Sequence, residues 1–179
     1  PFLYPAEHKE TIIQLEEDWG SRVGAAARCV CYHQLLNPMY HDAYRQICGN
    51  PKLSCNVQSK LFGALLDKGV ADAMRKIIVV NDETNAASLV SLRDTFEEVS
   101  ERLEKQDKKK AKKEETTFLV GESFTAADLA WVAFMFPILQ PPETAPLLGY
   151  ITDDQMPPSV LSLREKLRAT RAGQSALTM

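Results

Sequence analysis

The sequence predicts an all-α fold, with residues 1–179 forming one domain of five to six helices. Three observations carry that expectation. Apolar residues recur at intervals of three and four along several long stretches. A reciprocal capping pattern opens the most apolar of these stretches. No run of alternating, β-branched residues is found, so no sheet is expected.

The first helix is expected over residues 6–36. It has no internal proline, and Ile12, Leu15, Trp19, Val23, Ala26 and Val30 follow one another in steps of 3, 4, 4, 3 and 4. That spacing draws one apolar stripe down one face. Asn37-Pro38 ends it, because a residue before proline is pushed out of the helical region. Residues 38–57 hold Pro38, Gly49, Asn50 and Pro51 and read as a connection with a short helical piece around residues 41–47. A second helix is expected over residues 57–79, with Leu61, Leu65, Val70, Met74 and Ile77 on its inner face and Gly63 and Gly69 inside it. A third, over residues 83–105, repeats Leu89, Leu92, Phe96, Val99 and Leu103 as a heptad-like seam. About three heptads are short for a free coiled coil, so this seam is expected to pack within the chain.

Residues 105–116 read as a lysine-rich surface loop, with six lysines among Glu104, Asp107, Glu114 and Glu115. Such a run could face an acidic partner. The plainer reading is a solvated loop, since carboxylates dilute the charge and no aromatic residue is interleaved. The next helix begins at Thr125. Its hydroxyl is placed to accept from the N–H of Asp128, and the Asp128 carboxylate to reach back to the N–H of Thr125. Phe124 and Leu129 flank this box at the spacing of a hydrophobic staple. The apolar helix is expected to end at Pro137. Residues 140–158 carry five prolines and read as loop. The last helix is expected over residues 159–170, entered through Pro158 at a position where proline costs nothing.

At 179 residues the chain can bury a sizeable core. Its 45% apolar and 25% charged residues are ordinary globular values. A net charge of −3 argues against nucleic acid as the main partner. The longest apolar run, residues 129–139, has eleven residues. A membrane span needs roughly 20, so this is expected to be a core helix of a soluble protein that does not span a membrane. No signal-like segment opens the chain. It begins at Pro1 and reads as a processed product or as part of something longer.

Cys29, Cys31, Cys48 and Cys55 are too few and too irregular for a disulfide scaffold, which favours a reducing compartment. Gly49, Asn50 and Pro51 would let Cys48 and Cys55 meet, but in such a compartment that bridge is the lesser reading. Cys29-x-Cys31-x-His33 suggests a metal site, yet residues two apart on a helix point about 200° apart and cannot share an ion. No metal is expected. Small half-buried thiols are the plainer reading. Cys29 and His33 lie one helical turn apart and could pair, without a third group to orient them or an oxyanion site to serve. His8 and His41 are isolated. No catalytic residue is assigned.

Taken together, Phe118-Leu-Val-Gly-Glu-Ser-Phe-Thr-Ala-Ala-Asp-Leu129 and the apolar helix that follows it resemble the helical C-terminal domain of glutathione transferases. Leu3-Tyr4-Pro5, Leu15-Glu-Glu-Asp-Trp-Gly20, Gly24 to Arg28 and Tyr32-His33-Gln34-Leu35-Leu36 are similar to the family's long first C-domain helix. Pro137-Ile-Leu-Gln-Pro-Pro-Glu143 and Leu167-Arg-Ala-Thr-Arg-Ala-Gly173 resemble the end of a sparsely characterised branch of the family, which usually continues a few residues further.

The resemblance implies a missing half. In the family, glutathione binds an N-terminal thioredoxin-like domain, where a hydroxyl or thiol stabilises or replaces the thiolate nucleophile. This chain has no βαβ pattern, no Cys-x-x-Cys and no cis-proline turn of that kind. No glutathione site, and no cofactor, is therefore expected within it. The resemblance places Trp19, Arg22, Val23 and Ala26 near the wall that receives the electrophilic co-substrate. Trp19 also reads as a core aromatic, and Arg22 as the partner of Asp18 one turn earlier. Two functions follow as expectations. One is the helical half of a glutathione-dependent transferase, inactive without its other domain. The other is a non-enzymatic docking or structural unit of a larger complex. In either, the Trp19, Val23 and Ala26 face of the first helix is expected to be bare until a thioredoxin-like domain or a protein partner covers it.

Overall fold

The computed structural model describes residues 3–36, 71–108, 116–141 and 157–179, together with residues 69 and 153. Among them are six helices and no strand: α1 (Lys9–Leu35), α2 (Ala71–Ile77), α3 (Asp82–Asp107), α4 (Ala126–Leu139), α5 (Pro158–Arg168) and α6 (Arg171–Thr178). The all-α expectation holds for the described residues. The expected short helix at 41–47, most of the helix over 57–79, Cys48, Cys55, Gly63, the lysines beyond Lys108 and most of the proline-rich loop lie outside the described residues.

The apolar stripe of α1 is buried throughout, from Ile12 to Val30. It packs against α3 and α4. The α3 seam faces the same core, with Leu92, Phe96, Val99 and Leu103 all buried and Leu89 packed at the margin. The heptad spacing thus serves packing within the chain. α3 starts at Asn81, whose side chain accepts from the N–H of Thr84 (2.8 Å) while the Thr84 hydroxyl accepts from the N–H of Asn81 (2.9 Å). The helix it opens begins one residue before the expected start.

The core centres on three rings. Trp131 of α4 lies 5.5 Å from Trp19 of α1 and 4.9 Å from Phe96 of α3, both tilted rather than stacked. Its indole N–H donates to the Ala172 carbonyl of α6 (3.2 Å), so one side chain binds four helices.

Three expectations are corrected. Ile77, assigned to an inner face, is 79% exposed. α2 ends there, and the β-branched run through Val80 leaves the helical conformation, with Val79 at φ 51°. α4 does not stop at Pro137 but continues two residues, because Ile138 and Leu139 are buried and hold the last turn in the core. It leaves through Gln140 in a left-handed conformation, and the Arg168 guanidinium donates to the carbonyls of Leu139 and Gln140 that the helix end leaves unpaired. Finally, the chain does not finish its helices at residue 170. α5 ends at Arg168, and Thr170 caps a further helix by accepting from the N–H of Gly173 (3.0 Å). The turn is tight enough that a Cβ at Gly173 would lie 2.0 Å from the Leu167 carbonyl oxygen.

Candidate functional site

The segment that carries the family resemblance folds around one carboxylate. Asp128 has no exposed surface. Its Oδ2 accepts from the N–H of Thr125 (2.8 Å) and from the Thr125 hydroxyl (2.9 Å), and the Thr125 side chain set on the N–H of Asp128 completes the expected box. Its Oδ1 accepts from the N–H of Leu119 (2.8 Å), a bond the sequence did not announce. One short acid therefore ties the start of α4 to the loop before it. Burial pushes the Asp128 carboxyl above its ordinary value, and the donors from Leu119 and Thr125 pull against that rise. The Phe124 ring meets Phe118 edge-on at 6.3 Å. Phe124 and Leu129, the staple pair, are 39% and 49% exposed, so neither reaches into the core.

The four residues expected at the co-substrate wall separate into two environments. Trp19 and Val23 have no exposed surface, and Ala26 is 5% exposed. The expectation of a bare first-helix face is thereby corrected: α3 and α4 cover it within this chain, because the apolar faces of these helices are mutually complementary. Arg22 is the exception. Its guanidinium donates to Glu98 on α3 (2.9 Å) and to Asp18 (2.6 Å). These bonds, Glu98 first, hold it above its ordinary value. The expected Asp18 pair is present, and it is extended across to α3.

The two thiols among the described residues have separate surroundings. Cys29 and Cys31 are both free and half-buried. Burial pushes the Cys31 thiol up to about 12, and its sulfur lies 3.9 Å from the Pro137 carbonyl oxygen. Cys29 points its sulfur at the Thr84 hydroxyl (3.7 Å), while His33 pairs with Asp82 (2.8 Å). The Cys29 and His33 side chains thus engage different partners on α3. Among the described residues, no group of three or more His, Cys, Asp or Glu side chains is placed to hold a metal ion. Nor is any helix among them long and apolar enough to cross a membrane.

Comparison with protein-family models, with curated proteins and with solved structures found no match to the chain.

Proposed function

We propose that this chain is the helical half of a glutathione transferase-like protein, and that it contributes contacts to a domain or subunit rather than chemistry of its own. The observation that carries the reading is the α4 entrance. The resemblance expects residues 118–129 to open a central buried helix, and the Asp128 carboxylate closes that segment with bonds to Leu119 and Thr125. The contact role is favoured over a co-substrate wall because Trp19, Val23 and Ala26 are already enclosed by α3 and α4. A ligand could reach them only by displacing packed helices, which costs the burial of several large side chains.

Glutathione would bind the thioredoxin-like domain of the parent protein, and this chain supplies no residue for it. Titration of the 179-residue chain with glutathione, followed by calorimetry, tests this. No heat of binding is expected up to millimolar ligand. Micromolar affinity would overturn the reading, because a glutathione site would then lie within the helical half.

A further inference from the structure

We propose that residues 3–8 act as a strap that couples the N-terminal end of the chain to the entrance of α4. The proposal stands apart from the functional reading above. The first N–H groups of a helix have no partner inside it. At α4, the N–H of Ala126 is taken by the carbonyl of Leu3, at 2.9 Å, a backbone acceptor from the far end of the chain. A side-chain cap at Thr125 is already committed to Asp128, so it does not replace this bond.

Two further contacts hold the Leu3 carbonyl in register. The Tyr4 hydroxyl donates to the Glu16 carboxylate of α1, 2.9 and 3.0 Å from its two oxygens. The His8 ring lies against the turn before α4, so close that a Cβ at Gly121 would meet it at 2.9 Å. Gly121 also has φ +70°, so the turn depends on glycine for its backbone as well as for its space. Residues 5–8 themselves form a turn closed by His8 N–H on the Pro5 carbonyl (3.0 Å), which runs directly into α1. The strap thus touches α1, the Gly121 turn and α4 within six residues. A partner or a pull acting on the N-terminal end is felt at Ala126, and Tyr4 is the positioning residue.

Amide hydrogen exchange on the full chain tests the coupling. Tyr4→Phe removes the bond to Glu16 from an exposed side chain and leaves the core untouched. It is expected to speed exchange of the Ala126 amide about tenfold while the Leu92 and Val99 amides of α3 keep their rates. An unchanged Ala126 rate would overturn the proposal, as would an equal acceleration throughout α3. The reciprocal variant, Ala126→Pro, removes the donor at the first helical position, where proline is accepted, and Thr125 already has the extended backbone that precedes proline. It is expected to speed exchange of the His8 amide about tenfold. A His8 amide as protected as in the wild type would show that the strap does not depend on α4.

Discussion

Asp128 illustrates how much a single short acid can organise when it is buried. It accepts from three donors, two of them backbone N–H groups on opposite sides of the Gly121 turn. An asparagine has only one accepting oxygen, so Asp128→Asn sets its amide group against either the Leu119 or the Thr125 N–H. We expect a loss of about 1–3 kcal/mol in denaturant unfolding. The pH dependence has a definite sign. A folded value raised above the ordinary 3.8 means that the native state holds this proton more tightly than the unfolded chain does. The stability linked to Asp128 protonation is present in full below 3.8 and is lost as pH rises through the elevated folded value. The margin by which the wild type exceeds Asp128→Asn should therefore shrink as pH rises through that window. A margin that grows with pH would show that the donors outweigh desolvation. The Thr125–Asp128 box was legible because both partners lie three residues apart. The bond from the Leu119 N–H and the one that the Leu3 carbonyl accepts from Ala126 were not, since the backbone of any residue carries the same groups and its position depends on the fold.

Whole helices were legible in proportion to the size of their buried side chains. α1 and α3 present large apolar residues at regular steps, and their faces were read correctly to within a few residues at each end. α6 buries Ala172, Gly173, Ser175 and Ala176, small residues that draw no apolar stripe. The Thr170 cap was the available signal for it. Ile77 misled in the opposite way: its spacing fits a helical face, but α2 ends at that residue. The α5–α6 junction gives the sharpest prediction at this scale. Gly173→Ala puts a Cβ into the Leu167 backbone, which cannot move aside as a flexible side chain would. The helices must separate, drawing Ala172 away from Trp131 and Ser100. Thermal unfolding should show a loss of about 1–3 kcal/mol, a typical cost of overpacking. Unchanged stability would mean that the junction is looser than its geometry shows.

Across the whole molecule, the stripe on α1 was correctly read as apolar, but its covering was misjudged. A resemblance to half of a two-domain protein suggests a face waiting for the other half. Trp19, Val23 and Ala26 instead meet Phe96 and Trp131 and their neighbours, and the core is completed by helices of the same chain. Replacing Trp19 or Val23 with polar residues therefore perturbs folding rather than probing a docking face. The apolar side chains left at the surface, Phe124 and Leu129 among them, lie elsewhere. The candidate wall was legible as a set of positions and illegible as an environment, because spacing fixes which residues share a face and not which helix arrives to cover it. The central claim, that this is the helical half of a glutathione transferase-like protein, is tested most directly by the intact mass and N-terminal sequence of the protein from its native source. The account predicts a mass of about 29 kDa, with roughly 80 residues of thioredoxin-like sequence ahead of Pro1. A mass of 20.0 kDa with Pro1 at the N-terminus would contradict it and leave a helical unit working without that domain.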